Sequence, residues 1–96
     1  MIIVLGAVTV PADQLSQAFA LSEQHVARSR QEPGCLSHAV YHDPEIEGRL
    51  VFVEEWADKA ALDQHFAVPA SIEFVQALGA MATEAPSIRI YTADPA

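Results

Sequence analysis

An α+β fold of the split βαβ kind is predicted by three patterns in this 96-residue chain. Four segments carry strand signatures and three carry helical ones, and their order is β-α-β-β-α-α-β. Pro or Gly punctuates the junctions at Pro11, Pro33-Gly34, Pro44, Gly48, Pro69 and Pro86. The arrangement that satisfies this order is ferredoxin-like, an antiparallel sheet with helices on one face, in a single domain over 1–96.

Ile2–Val10 is rich in β-branched residues and stops at Pro11, as a buried strand does. From Asp13 to about Gln31, Leu15, Phe19 and Val26 fall on one face with Ala18 and Ser22 as small neighbours, which predicts an amphipathic helix. Glu32-Pro33-Gly34 ends it, since Pro cannot continue a helix and Gly accepts the positive φ of a type II turn. Cys35–His42 alternates with a period of two, and Asp43-Pro44 through Gly48 reads as a hairpin loop. Arg49–Trp56 follows, with Leu50, Phe52, Glu54 and Trp56 on one face. Asp58 is placed to cap a short helix carrying Leu62 and Phe66. Pro69 opens a further helix with Phe74, Leu78 and Met81 on one stripe and Ile72 and Val75 beside it. Ser87–Thr92 alternates again as the last strand. Apolar side chains occur on both faces of these strands, whereas the helices suffice for one face. A second copy of the chain is the expected cover, as a homodimer.

Composition narrows the function. Five Lys+Arg against thirteen Asp+Glu give a net charge of −8, and the basic residues are scattered. Nucleic-acid binding needs a basic patch to neutralise phosphates, and anionic membrane surfaces ask for the same. No apolar run approaches the roughly 20 residues of a spanning helix. Met1–Val8 lacks the basic start of a signal peptide, and the lone Cys35 has no disulfide partner within the chain. The expected compartment is the cytoplasm.

Three motifs then stand in order: Glu32-Pro33-Gly34-Cys35-Leu36, Phe52-Val53-Glu54-Glu55-Trp56-Ala57-Asp58, and Ala61-Leu62 with His65 nine residues after Trp56. In order and spacing they resemble the antibiotic biosynthesis monooxygenase (ABM) domain family. The resemblance covers essentially the whole chain. It implies a dimeric α+β barrel with a cavity between sheet and helices in each protomer. It also implies oxygen chemistry on aromatic polyketides or quinols, often without metal, flavin or haem. The chain departs from the family at His38, where a Tyr is frequent, and at Ala70, where many members carry a second His. The haem-degrading branch uses an Asn on the first strand and a His on the last helix. This chain has no Asn and no His beyond His65. The family also holds isomerases and members without assigned activity, so the fold does not fix the reaction.

Cofactor-free oxygen chemistry requires a substrate that becomes an electron-rich anion on losing a proton. The protein must then supply a base near neutral pH, a dry pocket and donors for the anion. His65, Trp56 and His38 are the candidate catalytic residues, and Phe52 and Glu54 the candidate substrate contacts. Four of them also fit a structural role, His38 as a satisfied or partly exposed strand residue. Trp56 suits the core, His65 can satisfy a helix end beside Leu62, and Glu54 can pair with Arg89. His25 reads as a solvated helix residue. His38 and His42 share a strand face but lie about 13 Å apart at ~3.3 Å per residue, too far to share a metal. Alternation sends Cys35 and His38 to opposite faces, so they make no nucleophile–base pair. With no Cys/His cluster and no phosphate loop, the expected cofactor is none and the expected metal is none. The expected activity is a cofactor-independent monooxygenase acting on a small phenolic, quinol-like or polyketide-like metabolite. An isomerase or lyase using His as acid and base, or a ligand-binding dimer without catalysis, is the alternative.

Overall fold

The computed structural model describes residues 1–96. Four strands, β1 (Ile2–Thr9), β2 (Cys35–His42), β3 (Arg49–Trp56) and β4 (Ser87–Thr92), form one sheet in the order β2-β3-β1-β4. Every neighbouring pair is antiparallel. Three helices, α1 (Leu15–Ser29), α2 (Lys59–Ala67) and α3 (Pro69–Met81), complete the chain, with a single 3-10 turn at Ala12–Gln14 before α1. This is the α+β, ferredoxin-like architecture expected from the sequence, and no helix is long and apolar enough to cross a membrane.

The register fixes which side chains meet the helices. Val4 stands opposite Glu54, Val8 opposite Leu50, and His38 opposite Glu54 from the other side, so these residues share the helix-covered face. Two apolar clusters form there. Val8, Val10, Ala18, Leu50, Phe52 and Leu78 make one; Ile2, Val4, Trp56 and Leu62 make the other. Polar side chains, His25, His38, Glu54 and His65 among them, are buried on the same face.

Local chemistry sets the element ends. Asp58 accepts a hydrogen bond from the Ala61 N–H at 2.8 Å, capping α2. Pro69 lies in the first turn of α3, where no N–H is needed. Gly34 and Gly48 both have φ of 82°, which L side chains rarely adopt. Gly34 carries a second constraint: a Cβ there would lie 2.5 Å from the Ala61 Cβ. The turn after α1 therefore rests directly on α2.

One strand differs from simple alternation. A register shift between Cys35 and Ser37 places Cys35 opposite Trp56 while His38 stands opposite Glu54. Such a bulge inserts one extra residue, and it brings Cys35 onto the same face as His38. Cys35 packs against the Trp56 cluster. Burial, then the charges of Glu54 and Glu32, push its thiol upward, which disfavours the nucleophilic thiolate.

Candidate active site

Three imidazoles meet beneath the helices. His25 comes from α1, His38 from β2 and His65 from α2, and one ring nitrogen of each lies within 4.8 Å of the other two. All three are buried. The assignment of His25 as solvated is therefore wrong. Its helix packs through Ala18, Ser22, His25, Val26 and Ser29, whose small members let α1 approach closely. The Ser22 and Ser29 hydroxyls donate to the carbonyls of Ala18 and His25, so this polar stripe is satisfied within the helix. His25 stacks on Phe74 with ring centroids 4.0 Å apart.

The hydrogen bonds around the cluster fix two tautomers. Nδ1 of His65 lies 2.8 Å from Oε1 of Glu32. A carboxylate only accepts, so this nitrogen carries the proton and Nε2 of His65 keeps its lone pair. The Arg28 guanidinium lies 3.2 Å from Nδ1 of His25 and also donates to the Ala70 carbonyl. A guanidinium only donates, so Nδ1 of His25 accepts and Nε2 carries the proton. Burial first, then the positive potentials of His38, His65 and Arg28, lower the His25 pKa to about 3. His25 is thus a neutral donor.

Glu54 occupies the centre of the sheet. Burial pushes its pKa up, but neighbouring His38 and the Trp56 N–H outweigh that, and the carboxyl ends below its ordinary range. Nε1 of Trp56 donates to Oε1 of Glu54 at 3.0 Å. Nε2 of His38 stands 3.3 Å from the same oxygen. Alignment falls short of a hydrogen bond, and both His38 ring nitrogens lack a hydrogen-bond partner. Arg89 is not the partner of Glu54. It stands opposite Leu5, on the other face of the sheet.

A cavity of about 530 Å³ opens beside the cluster, within the range of small-molecule sites. Its walls are mainly apolar, with Phe52, Phe66, Ile72, Phe74 and Ile88 among them, and His25, Glu54 and His65 supply polar groups. Of the residues predicted from the sequence, His65, Phe52 and Glu54 line it. His38 and Trp56 do not; they stand behind Glu54. Trp56 is fully buried, and its N–H is taken up by Glu54 rather than free for a substrate oxygen. Burying an indole of roughly 150–250 Å² at ~25 cal/mol per Å² outweighs the ~1 kcal/mol of one hydrogen bond, so core packing is its larger role. Sequence reasoning missed His25, Glu32 and Arg28. The small residues Ala18 and Ser22 were the available signal for His25, because they mark the face that packs.

The fold and this cavity define a small α+β protein with a buried imidazole cluster facing an apolar pocket. The sequence profile of the antibiotic biosynthesis monooxygenase family matches residues 1–77, and the chain belongs to that family. The crystal structure of an antibiotic biosynthesis monooxygenase is 29% identical and superposes with a TM-score of 0.91, covering 99% of this chain and 100% of that one. A Deinococcus radiodurans protein is 28% identical with a TM-score of 0.94, covering 100% and 95% respectively. An uncharacterised Synechocystis protein is 37% identical over 90 residues, which is 94% of this chain. The chain spans 61% of the length of that relative.

Proposed function

We propose that this chain is a monooxygenase that oxidises a small phenolic, quinol-like or polyketide-like metabolite with O2, the substrate itself supplying the electrons. The supporting observation is the Glu32-held imidazole of His65 at the wall of an apolar cavity. Nε2 of His65 takes the proton of a bound phenol or enol, and the neutral N–H of His25 donates to the oxygen left behind. Glu32 keeps His65 in the required tautomer and stabilises its protonated form, as a buried carboxylate does beside a catalytic imidazole. The anion then reduces O2 by one electron, and the two radicals combine at a ring carbon as a hydroperoxide. Loss of water leaves a carbonyl. A CH2 becomes C=O, one oxygen atom enters the product and the other leaves as water, so no external reductant is required.

The working unit in this proposal is a homodimer. The sheet face away from the helices carries Leu5, Tyr41, Val53 and Tyr91, all exposed, and Leu5 and Val53 are direct cross-strand neighbours. A second copy would cover this face.

Oxygen uptake by the purified, tag-free chain on a panel of hydroquinones, naphthols and anthrone-type enols tests the activity, with labelled oxygen gas to follow the inserted atom. Substrate-dependent uptake with label in the product supports the reading. Turnover of a panel member without oxygen consumption would instead identify an isomerase or lyase using the same donor and acceptor imidazoles.

A further inference from the structure

We infer that His25, His38 and His65 form a binding site for one divalent first-row transition-metal ion of the Zn2+ or Co2+ kind. Three buried imidazoles with ring nitrogens within 4.8 Å of one another supply the ligand type such ions prefer, and small rotations close that spacing around an ion. The sequence offered no such cluster because it pairs His38 with His42, its neighbour along the strand. The fold brings the three residues together from positions 25, 38 and 65 instead.

Four further observations support the assignment. Both ring nitrogens of His38 are buried without a hydrogen-bond partner. A buried polar group left unsatisfied is costly, and metal ligation satisfies it. Nδ1 of His65 is already held by Glu32, the outer carboxylate that orients metal-binding imidazoles through their other nitrogen. Glu54 lies 3.3 Å from His38 and can play the same part there. The adjoining cavity leaves room for a water or a substrate oxygen at an open position.

Arg28 is the opposing element. It donates to Nδ1 of His25, which leaves Nε2 protonated. Ligation through Nε2 therefore requires the proton to move to Nδ1 and the guanidinium, only partly buried, to swing away. A filled site also occupies the lone pair that His65 uses as a base, so loaded and metal-free protein are different chemical states of one cluster. The proposal goes beyond the oxidation reading and is measured without substrate or oxygen, so either can fail alone.

The test uses the tag-free full chain, stripped with chelator and titrated with Co2+ by visible absorption and with Zn2+ by calorimetry. One equivalent per chain is expected at micromolar affinity or tighter, with the intense visible bands of low-coordinate cobalt. His38→Gln should abolish this binding while His42→Gln retains it. Arg28→Gln replaces the cation with a neutral acceptor for Nδ1–H and should tighten Co2+ binding by about 10–100-fold, the scale of outer-shell effects. The Arg28→Gln measurement serves even if His38→Gln fails to fold. Absence of saturable uptake by the wild type, uptake unaffected by His38→Gln, or no tightening in Arg28→Gln would overturn the assignment.

Discussion

Glu32 and His65, 33 residues apart in sequence, are joined by a 2.8 Å hydrogen bond between Oε1 and Nδ1. The bond exists because the Gly34 turn lies against Ala61, one helical turn before His65. Removing the imidazole leaves the Glu32 carboxylate without its partner in a largely buried setting. His65→Ala should therefore lower stability by about 1–3 kcal/mol, measured by urea unfolding. The sequence sets a catalytic His65 against a structural one, with loss of stability marking the second. In the proposed function the two roles coincide, because the Glu32 contact that holds the ring in place also orients it as a base. Unchanged stability would show that the Glu32 contact contributes nothing.

Gly34 makes a sharper structural prediction. Its positive φ and the 2.5 Å approach of a notional Cβ to Ala61 both penalise a side chain. Gly34→Ala should cost about 1–3 kcal/mol. It should also lower turnover, because the turn that carries Glu32 must shift. A variant with wild-type unfolding midpoint and wild-type activity would contradict this account of the turn.

The pH dependence of folding follows from His25. Its pKa is 6.5 as the ordinary value and about 3 when folded. Between these values the unfolded chain binds more protons than the folded one. The stability conferred by neutral His25 is complete above pH 6.5 and is lost as pH falls from 6.5 toward 3, with a limiting slope of about 1.4 kcal/mol per pH unit. Glu54, held below its ordinary range, acts in the same direction at the acid end of this window. Urea unfolding of chelator-treated protein across pH 4–7 should show the slope, and His25→Gln should flatten it. Equal slopes in the two proteins would disprove the burial of a neutral imidazole.

The exposed face of the sheet predicts association. Sedimentation should show a dimer, with an interface above about 1,000 Å² in total. Val53→Glu places a charge at the centre of that face, beside Leu5, and should shift the chain toward monomer. A wild-type chain sedimenting as a stable monomer at micromolar concentration would exclude the dimer.

Much of the fold was legible because each element announces itself locally. β2, β3 and β4 have the bounds that alternation and Pro or Gly stops predict, and Asp58 and Pro69 open α2 and α3 as expected. The site was legible only in part. Phe52 and Glu54 fall on one strand face, a local property of alternation, and line a cavity with His65, whereas Trp56 and His38 lie outside it. Glu32 was hidden because nothing in a turn motif shows that its carboxylate reaches a helix 33 positions later. His25 was misread because a polar residue on an amphipathic helix is ordinarily solvated, and only tertiary packing against Phe74 reverses that. Cys35 changed face through a bulge that alternation cannot reveal.

The central claim is that His65, oriented by Glu32, accepts the proton that starts oxygen consumption. His65→Gln keeps a donor for Glu32, so folding can be matched to wild type by circular dichroism and urea midpoint. Oxygen uptake per folded molecule, measured on the best substrate of the panel, should fall by about 10²–10⁴-fold in this variant. Uptake equal to wild type in a folded His65→Gln sample would contradict the claim.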